Sequence, residues 1–336
     1  MGLLQASCCA HHRRMERRKL GESGLEVAPL CLGGNVFGWT ADEKTSFRIL
    51  DSYLDQGGNF VDTADVYSRW VPGHEGGESE TILGRWFKQS RKRQQIILAT
   101  KVGMEMGASK KGLSRAYILR AAEDSLRRLQ TDYIDLYQAH KDDESTPLEE
   151  TLEAFATLIK QGKARAIGAS NYSAARLEEA LEISKQKGWP RYESLQPEYN
   201  LYDRSAYESE LEPVAQKAGL GVIPYYSLAA GFLSGKYRSE QDVEGKARAY
   251  RVKNYLNDRG YRILSALDEV AKEHGANPAK VALAWLIARP SIAAPIASAT
   301  STEQLKDLVG AVELKLSPEA ITKLDEASAP AHAAAG

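Results

Sequence analysis

Cysteine, net charge and long apolar runs are all scarce in this sequence. Its 336 residues include only 3 cysteines, Cys8, Cys9 and Cys31, which are too few for a disulfide framework and favour a reducing, cytoplasmic location. The formal net charge of -1 provides no basic field to attract nucleic acid or an anionic membrane surface. No apolar run is long enough to span a bilayer. We therefore expect neither nucleic acid nor a membrane as a partner.

The two ends of the chain differ from the rest in composition. Residues 1–15 contain two adjacent cysteines followed by His11 and His12, but adjacent ligands lack the spacing of a structural zinc site, and no metal is expected. The segment has no clear secretory apolar core either, and we expect a disordered leader. The alanine-rich residues 327–336 are expected to fray. This predicts a single folded domain over residues 16–326.

Within that domain, short apolar runs alternate with amphipathic segments. The eight runs are Leu30–Leu32, Asn59–Val61, Ile96–Ala99, Tyr133–Tyr137, Ala164–Ile167, Ser194–Gln196, Val222–Pro224 and Ile292–Ile296. The amphipathic segments cover about 43–56, 79–91, 114–129, 147–161, 173–186, 207–218, 258–288 in two pieces, and 302–310. In 114–129, apolar residues recur at helical spacing after Ser114, which is placed to act as an N-cap.

Eight strands that are each followed by a helix predict an α/β fold, a (β/α)8 TIM barrel. Ahead of it, residues 18–27 read as a β-hairpin around a Gly/Ser turn. An open, doubly wound sheet is the alternative, and it would require a G-x-G-x-x-G turn after the first strand. Gly33, Gly34 and Gly38 follow that strand here without this spacing, so the closed barrel is favoured.

The strand ends carry side chains that can move protons, and in a barrel these ends form the active-site face. Asp62 and Tyr67 follow the second run, Lys101 the third and His140 the fourth. Each of them alone has an ordinary explanation: a turn cap, a packed aromatic ring, a solvated lysine or a satisfied histidine. Their placement at three consecutive strand ends favours a shared function.

The four side chains suit proton donation to a carbonyl oxygen. A phenol has a pKa of about 10, and a nearby ammonium favours its charged form, so Lys101 is expected to lower the pKa of Tyr67. Asp62 would hold Lys101 charged, and His140 would orient the substrate oxygen. No serine or cysteine pairs with a base, which argues against hydrolysis. A Schiff base on Lys101, as in an aldolase or isomerase, would need a neutral amine, and Asp62 opposes that.

With these residues in place, the sequence resembles the aldo-keto reductases, in the branch that includes the β subunits of voltage-gated potassium channels. The resemblance runs from Leu20 to about Leu324 and implies a nicotinamide-dependent barrel enzyme with a catalytic tetrad of Asp62, Tyr67, Lys101 and His140. The channel subunits carry asparagine in place of His140, so the intact tetrad favours turnover over a regulatory, cofactor-binding role. The matching pieces are 18–25, 60–67, 99–101, 138–140, 168–171, 196–200 and 231–237.

The resemblance also implies where the cofactor binds. Ser170, Asn171 and Gln196 match positions that hold the nicotinamide carboxamide, and Tyr225 matches the aromatic residue on which its ring stacks; a shift of one position would select Tyr226 instead. The other cofactor positions are Gly34, Leu228, Lys236, Arg248, Ser298, Thr300, Gln304 and Asp307.

Thr300 departs from the family pattern, since many NADPH-using relatives carry arginine or lysine there. A hydroxyl lacks the charge-assisted grip of a guanidinium, so we predict NADPH binding that is looser than usual, with NADH possible. The implied substrate is a small aldehyde, ketone or sugar, or an alcohol in the reverse direction. Val36, Trp39, Trp70 and Tyr67 are candidates to line its pocket, together with the segment after the seventh run, about 237–259. The protein is expected to act as a monomer or homo-oligomer.

Overall fold

The structure, a computed structural model, describes residues 15–330. Its first two strands, β1 (Arg18–Lys19) and β2 (Glu26–Val27), pair antiparallel and form the predicted hairpin. The strands that follow are all parallel and short, as expected where both faces of a sheet are covered. They are β3 (Cys31–Gly33), β4 (Phe60–Asp62), β5 (Ile97–Val102), β6 (Ile134–Ala139), β7 (Ala164–Ser170), β8 (Tyr192–Gln196), β9 (Gly221–Val222) and β10 (Ile296–Ala297).

The parallel strands close into a barrel. Their order is β10-β3-β4-β5-β6-β7-β8-β9, so neighbours in the chain are neighbours in the sheet. The barrel closes where Val222 of β9 forms a parallel bridge with Ile292, four residues before β10, and where Ile296 of β10 donates its backbone N–H to the Pro224 oxygen at 2.9 Å. This confirms the predicted TIM barrel and removes the open, doubly wound alternative.

The barrel interior is apolar at its amino-terminal end. Leu20, Leu25 and Val27 of the hairpin pack in one buried cluster with Cys31 and Phe60 from the starts of β3 and β4. The hairpin therefore closes this end of the barrel. The carboxyl ends of the strands remain as the end at which side chains meet solvent and ligands.

The helices follow the predicted alternation. They are α1 (Glu43–Asp55), α2 (Glu78–Ser90), α3 (Arg115–Leu129), α4 (Leu148–Lys160), α5 (Ala174–Lys187), α6 (Glu212–Ala218), α7 (Glu240–Val243), α8 (Ala249–Val252), α9 (Asp258–Glu273), α10 (Pro278–Ile287), α11 (Thr302–Glu313) and α12 (Pro318–Ser328). Ser114 occupies the N-cap position of α3 as predicted, but its side chain makes no capping hydrogen bond. The Glu150 carboxylate accepts from the Arg115 backbone N–H instead, at 2.8 Å.

Three helices were not predicted. α7 and α8 are single turns of four residues, too short for a helical repeat of apolar positions to show. α12 extends to Ser328, whose buried hydroxyl accepts a hydrogen bond from Arg204, so ordered structure continues two residues past the expected boundary at 326. The leader residues, with Cys8, Cys9, His11 and His12, lie outside the described residues.

Residues 15–330 lack two features that would indicate another class of protein. None of the helices there combines the length and the apolar character that a membrane crossing needs. The same residues contain no group of three or more His, Cys, Asp or Glu side chains placed to hold a metal ion.

Candidate active site

Strand alternation brings Asp62 and Lys101 to the inside of the barrel. Asp62 is the last residue of β4, and Lys101 lies near the end of β5, the adjacent strand. Successive side chains of a strand point to opposite faces, so both residues enter the interior while their neighbours Thr63 and Thr100 face outward. Both are buried, Asp62 at 1% exposure and Lys101 at 0%, and buried charges of this kind require close partners.

Lys101 uses all three of its N–H donors. Its Nζ donates to Asp62 Oδ2 at 2.6 Å, to the backbone oxygen of Thr63 at 2.9 Å and to the Tyr67 hydroxyl at 2.8 Å. An ammonium has three donors and no acceptor, so this geometry fixes Lys101 as a charged group aimed at the phenol oxygen. A neutral, nucleophilic lysine is not what this environment provides, which argues against a Schiff base.

Tyr67 reaches the strand ends from a tight turn after β4. Its hydroxyl accepts from Lys101, and its own O–H lies 3.3 Å from Asp62 Oδ2, a long hydrogen bond. The next residue, Ser68, has φ +73°, a left-handed conformation that is costly outside glycine, and its hydroxyl donates to the Phe37 backbone at 3.0 Å. The turn thus holds a strained residue directly after Tyr67.

Burial decides the pKa of Tyr67. Removal from water raises the pKa of this phenol well above 10.0, and the nearby Asp62 carboxylate raises it further. The net shift is therefore upward, because burial and Asp62 outweigh the decrease expected from Lys101 alone. A raised pKa favours the protonated phenol, which is the state required of a proton donor.

His140 lies beside the phenol in the uncharged form. Its backbone N–H donates to Val102 at 2.8 Å, and its ring packs edge-on against Tyr67 with 6.0 Å between ring centres. Burial, and secondarily the charge of Lys101, lower the pKa of His140 well below 6.5. Its Nδ1 is buried without a hydrogen-bond partner among the described residues. A neutral imidazole can orient a polar group without competing for the proton.

A cavity of about 810 Å³ opens over these side chains at the carboxyl ends of the strands. That volume is at the upper end of the range of about 300–1,000 Å³ usual for ligand sites. The predicted site residues that line it are Trp39, Asp62, Tyr67, Trp70, His140, Ser170, Asn171, Gln196, Tyr225, Leu228, Lys236, Arg248, Ser298, Thr300, Gln304 and Asp307. The structure thus brings nearly all of the predicted site together.

Three predicted residues lie behind the cavity wall. Lys101 is covered by the groups to which it donates. Gly34 packs so closely that a side chain there would meet the Asp62 backbone oxygen and the Ser79 hydroxyl, each at 3.1 Å. Val36 is buried at 3% exposure and does not line the cavity.

Several wall residues escaped prediction. Asn35 and Met104 line the cavity, and each lies two residues past the end of a strand, β3 and β5 respectively. Position after a strand end was thus the available signal. Lys246, from the segment that follows β9, also lines the cavity, within the range 237–259 that was expected to contribute to the pocket.

The amides expected to hold a carboxamide form a chain that reaches Asp62. The Gln196 amide donates to Asp62 Oδ1 at 3.0 Å, and the Ser170 hydroxyl donates to the Gln196 backbone oxygen at 2.8 Å. Asn171 donates to the His140 backbone oxygen at 2.9 Å and accepts from the Tyr225 hydroxyl at 2.8 Å. Hydrogen bonds thus connect this end of the cavity to Asp62 and to the backbone of His140.

Both tyrosines after β9 face the cavity. The Arg251 guanidinium stacks on the Tyr226 ring at 4.1 Å and pairs with Glu198, which fixes Tyr226 against the wall. Tyr226, Ala229 and Ala230 all have positive φ, between +48° and +57°. Such strain in non-glycine residues is characteristic of active sites and ligand-binding sites.

The far end of the cavity is lined by hydroxyls and amides. The Thr300 backbone N–H and hydroxyl both donate to Gln304 Oε1, at 2.9 and 3.0 Å. Asp307 pairs with Lys280 at 3.1 Å, so its charge is balanced locally. Between the two ends, Lys236 and Arg248 supply positive charge, and Arg248 lies 5.7 Å over the Trp39 ring.

Aromatic side chains form the mouth of the cavity. Trp39 and Trp70 meet edge to face with 5.5 Å between ring centres, and Trp70 lies 6.0 Å from the Tyr67 ring. Trp70 and Met104 remain 49% and 37% exposed, which is unusual for large apolar side chains and places an apolar rim beside the phenol.

The fold and the site together define the class: a closed parallel barrel with a buried Asp–Lys–Tyr unit under a cavity at its carboxyl end. Residues 29–329 match the Aldo/keto reductase family, and the chain belongs to that family of oxidoreductases.

The individual relatives are of two kinds. The chain is 39% identical to "Uncharacterized oxidoreductase YrpG" of Bacillus subtilis (strain 168), covering 93% of this chain and 95% of that protein. It is 34% identical to "Aldo-keto reductase YhdN" of the same organism, with 88% of each covered. It is also 33% identical to "Probable voltage-gated potassium channel subunit beta" of Oryza sativa subsp. japonica, covering 93% and 96%. The choice between turnover and a binding role therefore rests on the site.

Proposed function

We propose that this protein reduces small aldehydes or ketones, or oxidises the corresponding alcohols or sugars, with NADPH or NADP as the preferred cofactor. The observation that carries the proposal is the contact of 2.8 Å between Lys101 Nζ and the hydroxyl of Tyr67, at the base of the cavity. A protonated phenol that accepts a hydrogen bond from an ammonium is suited to give its proton to a carbonyl oxygen and to be stabilised as it does so.

The cavity residues fit a nicotinamide dinucleotide. Ser170, Asn171 and Gln196 offer the amide and hydroxyl groups that a carboxamide requires, and Tyr225 offers a ring face beside them. Lys236 and Arg248 offer positive charge to a pyrophosphate farther along. Ser298, Thr300, Gln304 and Asp307 would hold the adenosine end. When bound, the nicotinamide supplies or accepts the hydride.

Side chains of the protein would then carry out the proton transfer and orient the substrate. Tyr67 gives its proton to the substrate oxygen, and the Lys101 ammonium stabilises the phenolate that remains. Asp62 keeps Lys101 charged and aimed, and His140 Nε2 orients the substrate oxygen. Trp39 and Trp70 would stack on a flat substrate and exclude water from the reacting atoms. The reducing cytoplasm is the proposed compartment, in keeping with the buried, unpaired thiol of Cys31.

The direct test is NADPH oxidation by the purified protein, followed by absorbance over a panel of aldehydes, ketones and sugars. We expect turnover, with the highest kcat/KM for a carbonyl attached to a flat ring. The second candidate function is a cofactor-binding regulatory protein, which the similarity to the rice channel subunit supports. Tight NADPH binding without turnover on any substrate would favour that alternative and contradict the proposed reductase activity.

The pH dependence follows from two pKa shifts of opposite sign. The pKa of His140 is lowered, so the ring is already neutral above pH 6.5; the pKa of Tyr67 is raised, so the phenol keeps its proton up to pH 10.0. Both groups stay in the required form between these limits, and we expect a flat profile of kcat for reduction across that range. Initial rates at saturating cofactor and substrate measure it, and a titration midpoint inside the range would contradict the assignment.

Cofactor preference depends on Thr300. Its backbone N–H and hydroxyl already donate to Gln304, and no guanidinium is present at this position. We expect the Kd values for NADPH and NADH, measured by fluorescence titration, to differ by about 10-fold or less. Thr300→Arg should tighten NADPH by about 10-fold or more and leave NADH unchanged, because a charged hydrogen bond to phosphate is worth about 1.5–3 kcal/mol.

A matched variant distinguishes the effect of a specific contact with the cofactor phosphate from the effect of an added positive charge. Thr302→Arg places the same guanidinium on the first residue of α11, outside the cavity wall, and should leave both Kd values near those of the unmodified protein. Wild-type protein that already binds NADPH far more tightly than NADH would show that the reading of Thr300 is wrong.

A further inference from the structure

A buried ion pair lies on the outer face of β5, on the opposite side of the strand from the cavity. Glu80, in the first turn of α2, is 0% exposed. Its Oε1 accepts from the Thr100 hydroxyl at 2.5 Å, and its Oε2 accepts from Arg128 Nε of α3 at 2.7 Å. None of these three residues lines the cavity. A carboxylate held this far from water is costly, and an apolar side chain would fill the space more cheaply.

The position of Thr100 gives this ion pair a connection to the site. Thr100 directly precedes Lys101 in β5, and alternation turns the first outward to Glu80 and the second inward to Tyr67. Fixing the Thr100 side chain therefore fixes the strand segment from which Lys101 projects. The position of Lys101 Nζ must be precise, because this atom donates to three acceptors at distances between 2.6 and 2.9 Å.

The same turn of α2 also holds the end of β4. Ser79 shares a hydrogen bond of 2.8 Å with the Thr63 hydroxyl and donates to the Gly34 backbone oxygen at 2.7 Å. Thr63 directly follows Asp62, and its backbone oxygen accepts from Lys101. Ser79 and Glu80, two consecutive residues of α2, thus hold the ends of β4 and β5 from outside the barrel. These strand ends carry the buried Asp62–Lys101 pair on the inside.

We propose that Glu80 is a positioning residue of the reductase site, acting through Thr100 to set the distance between Lys101 Nζ and the Tyr67 hydroxyl. The inference rests on the proposed function. Displacement of a catalytic group by about 1 Å can cost about 100-fold in rate, so the loss of one outer hydrogen bond has a measurable effect on turnover.

The test is Thr100→Val, which removes the hydroxyl and keeps the shape of the side chain. We expect kcat for reduction to fall about 10-fold, while KM and the Kd for NADPH stay within about two-fold. The solvent deuterium isotope effect on kcat should rise, because proton donation from Tyr67 becomes limiting. Thr100→Ser restores the hydroxyl and should return kcat to within about two-fold of the wild type.

A matched control and a second pair of variants guard against a general loss of stability. Thr151→Val removes another buried hydroxyl, in α4, which donates to the Leu113 backbone oxygen at 3.0 Å and makes no hydrogen bond to Glu80, Thr100 or Lys101, and it should leave kcat unchanged. Glu80→Met should reproduce the loss seen in Thr100→Val, and the two should not add when combined. Glu80→Gln can contact both Thr100 and Arg128 through its amide and should retain most of kcat.

The outcomes separate the two proposals. A wild-type protein that binds NADPH but turns over no carbonyl would overturn the reductase function itself. An active wild type in which Thr100→Val behaves like Thr151→Val, with unchanged kcat and isotope effect, would overturn the role of Glu80 alone. If Thr100→Val yields no folded protein, Thr100→Ala applies the same criteria.

Discussion

Tyr67→Phe should lower kcat for carbonyl reduction by about 1,000-fold, within the range of about 10²–10⁴ for loss of a general acid. The change removes one oxygen atom and leaves the ring, its packing against Trp70 and the cavity wall in place. The Kd for NADPH should therefore stay within about two-fold. Stopped-flow or steady-state NADPH oxidation measures the first quantity, and fluorescence titration measures the second.

Tyr137→Phe provides the matched control. Tyr137 is fully buried in β6, and its hydroxyl has no hydrogen-bond partner among the described residues, so its removal leaves no group unsatisfied. We expect unchanged kcat for this variant. If Tyr67→Phe kept more than about a tenth of the wild-type kcat, proton donation by Tyr67 could not be the basis of the reaction.

The second large effect is expected for Lys101→Met, in stability as well as in rate. The Asp62 carboxylate, 1% exposed, would lose the ammonium at 2.6 Å and remain as an unpaired buried charge. Breaking a buried pair in this way costs about 3–5 kcal/mol. We expect that decrease in the free energy of unfolding, measured by urea denaturation, together with a loss of kcat comparable to that of Tyr67→Phe.

A double variant distinguishes the two losses. Adding Asp62→Asn to Lys101→Met removes the orphaned charge, so a substantial part of the unfolding free energy should return while kcat stays low. Recovery of activity in the double variant would show that Lys101 contributes to folding alone. Full stability in the single variant would show that water or another cation already compensates Asp62.

The central site could be predicted because strand ends are easy to locate in sequence. Asp62, Lys101 and His140 each follow a recognisable apolar run, and a closed barrel brings such ends together. The sign of the pKa shift of Tyr67 could not be predicted in the same way. Sequence shows that a lysine is near the phenol, whereas the depth of burial, which dominates, depends on the whole fold.

Other features depended on contacts that sequence does not display. Nothing in the spacing of Glu80 and Thr100 shows that a helix turn and a strand 20 residues apart share a hydrogen bond. The single-turn helices α7 and α8 are too short to show a helical repeat of apolar positions. The close packing around Gly34 could not be predicted either, because a glycine that matches a cofactor position can instead be required for close packing.

The hairpin that closes the amino-terminal end of the barrel determines how the site is resupplied with protons. Beneath Lys101 lie apolar side chains and the thiol of Cys31, whose pKa is raised well above 9.0 by burial and by Asp62, so it holds its proton. Within residues 15–330, Lys101 donates to Asp62, Thr63 and Tyr67, and none of its hydrogen bonds goes to these apolar side chains or to Cys31. If Tyr67 donates its proton as we propose, we expect the replacement proton to enter through the cavity mouth, by the path that the product takes out. Reprotonation of Tyr67 and release of the product would thus both use the cavity mouth, one after the other.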